Sequence, residues 1–405
     1  MKAPAATAAP PRPAGPAPRD IVDALLRKKP APRIGLVESP WPDTIAAWVK
    51  QGYPTRRARQ EAGALRWNPE SGRWQPGESS GEFVEPVPAW EHFGFDLVGV
   101  GGWFDAMPLR GRSELVEKSD AWEVRRNGAG AALKYWTGKS GTPEHVDFLM
   151  TSREAWERDY RSHLLGLDPA RVNVDGAKHQ LAAARAAGRW THYGHLFIWE
   201  LMRQSMGDVC LYESLLLDPD WIRDYGRVYT DFFQRHYAYL FEQAGRPDGV
   251  WMYEDLGYRN GLAASPRVLE DLIFPHFKEM VDFFHARGLP VVLHTCGSTA
   301  EALPLIVEAG FDALHPMERK AAGNDPFAFA ERYGDRLAFV GGFDARLFET
   351  NDRALIRREM TGYIRGMRAR GARLVFASDH SISPNTRYDT YAYAVEVWRE
   401  LAANG

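Results

Sequence analysis

The chain has 405 residues, a formal net charge of −3 and 45% hydrophobic residues, which is ordinary globular composition. Acidic and basic residues are mixed along the sequence, and this argues against nucleic acid as a partner because phosphate binding needs a concentrated positive face. No stretch reaches the roughly 18 consecutive apolar residues of a membrane span, so we expect no membrane partner.

The two cysteines, Cys210 and Cys296, stand far apart in unlike contexts. A disulfide framework is therefore not indicated, and a reducing, cytoplasmic location is expected. Residues 1–18 consist mainly of Ala and Pro and predict a disordered tail. A (β/α)8 barrel with insertions runs from about 200 to over 400 residues, so residues 19–405 suffice for one such domain.

The first half of the chain has an irregular pattern. An amphipathic helix is predicted just after the tail, then a strand over 33–38 and a helix over 44–51. Residues 58–146 read as an excursion from the barrel that contains an apolar run at 95–100. Alternation of polar and apolar residues over 114–146 predicts a β-hairpin or meander.

The second half alternates strand-length apolar runs with helix-length segments. The strands are predicted at 249–253, 290–294, 313–316, 337–342 and 373–377, and the helices at 218–244, 266–287, 299–309, 325–333 and 352–370. Such alternation implies a parallel sheet. A doubly wound open sheet is the rival, but neither GxGxxG nor GxxxxGK[ST] is present. We therefore predict an α/β fold, a (β/α)8 TIM barrel with an N-terminal extension and an inserted β-rich excursion.

Five consecutive predicted strands end in polar side chains that can do chemistry. These side chains are Glu254 and Asp255, His294 and Cys296, His315 and Glu318, Asp344, and lastly Asp379 and His380. Catalytic side chains of such barrels lie just past the C-terminal ends of the strands. We therefore expect these groups to converge on one cavity.

His294 and Cys296 are two residues apart, so on extended backbone they face the same way. Zinc binds nitrogen and sulfur, and a catalytic zinc keeps one position open beside three protein ligands. His380 is the expected third ligand, Asp379 is the next candidate, and Glu254 is a possible fourth ligand. The alternative is a hydrogen-bonded histidine beside an inert thiol.

The carboxylates are assigned two kinds of role. Asp255, Asp379 and Glu254 are candidate acid/base catalysts, with helix capping and loop structure as the alternative. Glu318 and Asp344 are candidate substrate-binding groups, although Asp344 could instead cap the helix that follows it.

Aromatic side chains are also candidates for the mouth of the barrel. Trp103 is a further candidate substrate-binding residue. Four tryptophans of the excursion are expected to wall the mouth and partly cover it, namely Trp67, Trp74, Trp90 and Trp103.

At these strand ends the sequence resembles the uroporphyrinogen decarboxylase superfamily. The matching stretches are 254–257 (EDLG), 294–297 (HTCG), 309–318 (AGFDALHPME), 333–344 (YGDRLAFVGGFD) and 377–384 (ASDHSISP). The resemblance runs from about residue 33 to the end and is strongest after residue 245. It implies a (β/α)8 barrel.

The resemblance is closest in motif to the corrinoid-dependent methyltransferase branch. Members of that branch hold zinc with a His-x-Cys pair, which matches His294 and Cys296, and with a later Cys, where this chain has His380. The decarboxylase motifs of the RQAGRY and IFSDIL types are missing. The resemblance thus implies a zinc-assisted methyltransferase that acts on a small-molecule methyl donor or acceptor with a corrinoid on a separate protein. A cofactor-free decarboxylase or lyase, or a non-catalytic barrel that binds a tetrapyrrole or other small molecule, are the alternatives.

Overall fold

The computed structural model describes residues 16–60, 65–68, 73–76, 80–137, 139 and 142–403. Eight parallel strands form one sheet, which curves into a barrel. They are β1 (Gly35–Leu36), β2 (Leu97–Gly99), β3 (Trp190–Leu196), β4 (Gly249–Tyr253), β5 (Val291–His294), β6 (Ala313–His315), β7 (Ala338–Val340) and β8 (Leu374–Phe376). Each strand from β2 to β7 pairs with the next strand in sequence, and β8 pairs with β1. The predicted (β/α)8 barrel is confirmed, although β3 was missed.

Helices follow the strands and cover the outside of the barrel. They are Pro42–Lys50 after β1, Val174–Ala186 after the insertion, Ile198–Leu217 and Pro219–Ala244 after β3, Pro266–Leu272 and Phe274–His285 after β4, Leu303–Glu308 after β5, Pro326–Tyr333 after β6, Arg346–Glu349 and Arg353–Ala369 after β7, and Tyr388–Leu401 after β8. Their apolar faces pack with the outward side chains of the strands in one large core. Among the helices that the structure describes, none has the length and apolar character needed to cross a bilayer.

The N-terminal helix Pro18–Leu26 closes one end of the barrel. Its apolar side chains Ile21, Val22, Leu25 and Leu26 join a second buried cluster, formed by inward side chains of the strands. Its charged residues meet the segments just before the strands, as in the Arg19–Asp248 ion pair of 2.6 Å. The N-terminal end of the barrel is therefore sealed, which leaves the C-terminal end for a site. Of the predicted tail, residues 1–15 lie outside the described residues.

Two insertions extend the barrel. Between β1 and β2, Thr55–Gln60 pairs with Gly81–Pro86, Leu65–Asn68 pairs with Arg73–Pro76, and the short helix Ala89–Phe93 follows. Between β2 and β3 lies a four-stranded antiparallel sheet of Ser113–Lys118, Trp122–Asn127, Ala132–Trp136 and Glu144–Asp147, which confirms the β-structure predicted over 114–146. Short one-turn helical segments then lead to Val174–Ala186.

This inserted sheet packs against a break in helix Ile198–Leu217. The break is at Gly207, whose φ is +74°. A Cβ atom there would lie 2.4 Å from the ring of Phe148. Only glycine therefore allows the insertion to approach the helix this closely.

Asp96 joins β1 to β2, where the barrel closes. Its backbone N–H donates to the Leu36 carbonyl oxygen at 2.8 Å, and its carboxylate accepts from the Leu36 N–H at 2.8 Å. The Arg33 guanidinium donates two further bonds to this carboxylate, at 2.6 and 2.7 Å. Asp96 is only 1% exposed, so these bonds are shielded from water.

We expect Asp96→Ala to lower the free energy of unfolding by about 3 kcal/mol, because it leaves the half-buried Arg33 guanidinium and a buried strand N–H without their partner. Asp271→Ala is the matched control, since it removes an exposed pair with Arg223 and should cost less than about 1 kcal/mol. Denaturant unfolding checks both variants. Equal midpoints for the two would contradict the role given to Asp96.

Candidate active site

Three donor atoms meet at the C-terminal ends of the neighbouring strands β4 and β5. The Sγ of Cys296 lies 3.4 Å from Nε2 of His294, and the same nitrogen lies 3.4 Å from Oδ1 of Asp255. All three donor atoms lie within 4.8 Å of one another. In the part of the chain that the structure describes, this is the one group of three such side chains close enough to share a metal ion.

The turn after β5 is held by hydrogen bonds from the backbone. The Cys296 N–H donates to Oδ1 of Asp255 at 2.8 Å, and the Gly297 N–H donates to Oε2 of Glu318 at 2.9 Å. Gly297 has a φ of +74°, and a Cβ atom there would lie 2.4 Å from the Gly257 carbonyl oxygen. Glycine is therefore required where the thiol is turned toward the imidazole.

His315, at the end of β6, orients His294 by contacting the ring nitrogen that lies away from Cys296 and Asp255. The Nδ1 atoms of the two rings are 2.6 Å apart, so one donates a proton and the other accepts it. Burial, together with the neighbouring His294, lowers the pKa of His315 well below its usual value, so this ring is neutral. The Nε2 of His294 consequently faces Cys296 and Asp255. The sequence placed His315 at a strand end but gave no sign of this role.

Charge is balanced within the group. Burial opposes protonation of His294, but Cys296 and Asp255 outweigh it and raise the pKa of His294 to about 10. Burial also works against the Asp255 carboxylate, yet the hydrogen bond with His294 keeps its pKa below the usual value. Burial raises the pKa of the Cys296 thiol, against the attraction of His294. The His294 imidazolium and the Asp255 carboxylate therefore form an ion pair beside Cys296.

The donor set fits zinc. Zinc binds imidazole nitrogen, thiolate sulfur and carboxylate oxygen at about 2.0–2.3 Å, so two ligands of a tetrahedral ion lie roughly 3.5 Å apart. The two separations of 3.4 Å match that spacing. Three protein ligands would leave the fourth position open to a substrate or water.

His380 does not join this group, which corrects the predicted ligand set. Its exposed ring lies 6.2 Å from the ring of Trp41, on the β1 side of the mouth. Two sets of bonds fix the loop in this position. The Ser378 hydroxyl donates to the His380 carbonyl oxygen, and the Asp379 carboxylate accepts from the N–H groups of Arg319 and Ala345 at 3.0 Å each. Asp255, which was predicted as an acid/base group, is instead the third donor beside His294 and Cys296.

Glu254 and Asp379 are bound to the backbone of the protein. Glu254 is fully buried, and its two oxygens accept from the N–H groups of Phe197 and Trp199 at 2.5 and 2.7 Å, where helix Ile198–Leu217 begins. Burial raises the pKa of Glu254 well above its usual value, and burial likewise raises that of Asp379. These contacts are the capping and loop roles that the sequence left as alternatives.

Two predicted substrate-binding carboxylates also have partners within the chain. Glu318 holds the Gly297 N–H, and its other oxygen lies 3.5 Å from the Lys320 ammonium. Asp344 binds the Arg346 guanidinium at 2.5 Å and accepts from the Arg346 N–H at 3.0 Å. Asp344 thus accepts from the first N–H of helix Arg346–Glu349 but is not its N-cap residue, which is Ala345.

Of the four tryptophans expected at the mouth, Trp103 lies near the three donors Asp255, His294 and Cys296, which we call the candidate metal-ligand group. It is 54% exposed, and its ring lies 5.4 Å from that of Tyr253, which in turn lies 5.2 Å from His294. Trp67 is buried and Trp90 packs against the core. The side chain of Trp74 lies outside the described residues.

Sequence reasoning missed one carboxylate at the mouth, Glu38, just past β1. Its oxygens accept from the N–H groups of Ser39 at 3.0 Å and Ser378 at 2.9 Å. Burial raises the pKa of Glu38 to about 7. The strand-end rule could have found it, since Glu38 closes the first predicted strand.

The fold and the donor group define a (β/α)8 barrel with a candidate metal site at its mouth. The family model of uroporphyrinogen decarboxylase (URO-D) matches residues 228–401. A methyltransferase from Methanosarcina mazei superposes with a TM-score of 0.65 at 13% identity, covering 95% of this chain and 99% of that one. The family match confirms the resemblance to uroporphyrinogen decarboxylase over the C-terminal part of the chain. The superposition shows that the methyltransferase shares the barrel fold over nearly the whole length.

Other comparisons add little. A xylose isomerase domain protein from Alicyclobacillus acidocaldarius has a TM-score of 0.29 at 14% identity, covering 59% of this chain and 95% of that one. This superposition is too loose to support an argument. A search of curated proteins finds no match.

We expect Glu38 to make stability depend on pH. Because its folded pKa of about 7 lies above the unfolded value, its contribution is fully present below about pH 4 and is lost as the pH rises through 7. Between about pH 5 and 8, the wild type should therefore lose free energy of unfolding relative to Glu38→Gln. Denaturant titrations across this range measure the difference, and a constant difference would contradict the assignment.

Proposed function

We propose that this barrel is a methyltransferase in which zinc, bound by Asp255, His294 and Cys296, assists methyl transfer between a small molecule and a corrinoid on a separate protein. The observation that carries the proposal is the meeting of nitrogen, sulfur and oxygen donors within 4.8 Å at two adjacent strand ends. The family match and the fold shared with a methyltransferase support it.

The residues of the chain have distinct tasks in this proposal. His315 holds Nδ1 of His294, which fixes the ring and leaves Nε2 for the metal, as partners of metal-bound histidines commonly do. Asp255 anchors the Cys296 N–H, which keeps the thiol beside the imidazole. When bound, zinc supplies Lewis acidity, by which a substrate thiol is held as the thiolate or an ether or amine is polarised.

Two directions of transfer are compatible with this chemistry. A methylated corrinoid could give its methyl group to a thiolate, or a reduced corrinoid could take one from an ether or amine. The corrinoid carries out the difficult step, and the barrel binds and orients the substrate. We assign the corrinoid to a partner protein, since the barrel and its inserted sheets account for the elements among residues 16–403 that the structure describes.

A cofactor-free decarboxylase or lyase is the second candidate, and the name of the matching family favours it. It would use Asp255 and Asp379 as its polar centre. Both oxygens of Asp379, however, already accept backbone N–H bonds, and Asp255 faces His294 and Cys296. Such a lyase needs no zinc, so metal content separates the two candidates.

We expect the purified protein to bind about one zinc ion per chain. Cys296→Ser and Asp255→Ala should each weaken zinc binding by about tenfold or more, because each removes a ligand. Cys210→Ser and His380→Ala are the matched controls and should keep the metal. Elemental analysis after dialysis against a graded chelator measures all four variants.

An assay of methyl transfer provides a second test of the proposed centre. With free methylcobalamin and 2-mercaptoethanol, the zinc-loaded wild type should consume methylcobalamin, as followed by its absorbance, and Cys296→Ser should not. A protein that retains all its zinc after Cys296→Ser, or that holds none when purified, would refute the proposed centre.

A further inference from the structure

A separate recess opens at the mouth of the barrel beside the candidate metal-ligand group. It is a cavity of about 280 Å³ that lies along the ends of β2 and β3. Its walls are aromatic on one side, and its polar side chains are few. The aromatic walls are Trp103, Phe104 and Tyr253, and the polar side chains are Asn173, Gln180 and His192.

Glycines form part of the wall of this recess. Gly101 and Gly102 follow β2 with φ values of +116° and +90°, and a Cβ atom on Gly102 would lie 2.6 Å from Cβ of Tyr193. On β3, a Cβ atom on Gly194 would lie 3.0 Å from the Tyr253 ring. The backbone therefore packs closely against these two tyrosines, and at Gly101, Gly102 and Gly194 it forms part of the wall of the recess.

His192, on β3, is one of the polar side chains that line the recess. It is 7% exposed, and its Nδ1 is fully buried, so the ring nitrogen that a ligand can reach is Nε2. Burial lowers the pKa of His192 to about 4, so the ring is neutral and offers one donor and one acceptor. Buried polar groups are nearly always paired. A neutral histidine that lines a largely aromatic recess therefore points to a polar group on a ligand that would bond its Nε2.

The aromatic wall connects this recess to the candidate metal-ligand group. The Trp103 ring lies 5.4 Å from the Tyr253 ring with 31° between their planes. The Tyr253 ring lies 5.2 Å from that of His294. Aromatic faces at such distances favour contact with another flat ring. A volume just below the usual range of about 300–1,000 Å³ suits a ligand of one or two fused rings.

We propose that this recess binds the planar aromatic end of the substrate, and that His192 selects it by a hydrogen bond to a polar group on the ring. This inference rests on the proposed function, because the bound ring would extend past Tyr253 toward His294 and Cys296. The substrate class is then an aromatic compound with a hydroxyl or similar group. His192 acts in specificity and takes no part in the transfer itself.

Equilibrium dialysis of the full-length protein against three probes tests the proposal. The wild type should bind 2-naphthol about tenfold more tightly than naphthalene, which lacks the hydroxyl, and about tenfold more tightly than the non-planar decahydro-2-naphthol. In His192→Leu, the preference for 2-naphthol over naphthalene should vanish. His179→Leu, on the exposed face of helix Val174–Ala186, should keep it.

Each result is a ratio of two affinities on one sample, so partial loss of folded protein cancels. The proposal is overturned if naphthalene or the decahydro compound binds the wild type as tightly as 2-naphthol, or if His192→Leu keeps the preference. The assay needs neither zinc nor methyl transfer. If the ratios fail while zinc binding behaves as expected, only this inference falls; if the ratios hold in a protein without zinc, only the methyltransferase proposal falls.

Discussion

The site depends on the contacts that Nε2 of the His294 imidazole makes with two neighbouring side chains. His294 meets the thiol of Cys296 and the carboxylate of Asp255 there, each at 3.4 Å, and meets His315 at its other nitrogen. Nearby bonds serve to hold these groups in place. The Cys296 N–H is tied to Asp255, and the next N–H is tied to Glu318. Three successive strands thereby fix one potential metal ligand and its orientation.

Because the N-terminal end of the barrel is closed, this group of side chains lies at the end that a ligand can enter. The N-terminal helix Pro18–Leu26 fills the opposite end with apolar side chains, so a ligand can approach the inward side chains only from the strand C-termini. Asp96 closes the barrel at β1 and β2. The recess around His192 lies next to that seam, and it is lined by Gly101 and Gly102 after β2 and by Gly194 on β3. The candidate metal ligands and the proposed ring-binding surface thus share a single entrance.

The sequence predicted the architecture better than the details of the site. Regular apolar strands after residue 218 predicted the barrel, but β3 was missed because its residues 190–196 (WTHYGHL) interrupt the apolar pattern with two histidines, a threonine and a glycine. That strand carries His192, so the recess could not be foreseen. Glu254 and Asp255 are equivalent on sequence grounds, yet pleating sends one to a helix start and the other to the mouth.

X-ray absorption at the zinc edge of the zinc-loaded protein tests the central claim most directly. The account predicts one sulfur ligand per zinc at about 2.3 Å, with the remaining ligands nitrogen or oxygen at about 2.0–2.2 Å. A spectrum without sulfur, or one that requires two sulfurs, would contradict a centre built from Asp255, His294 and Cys296.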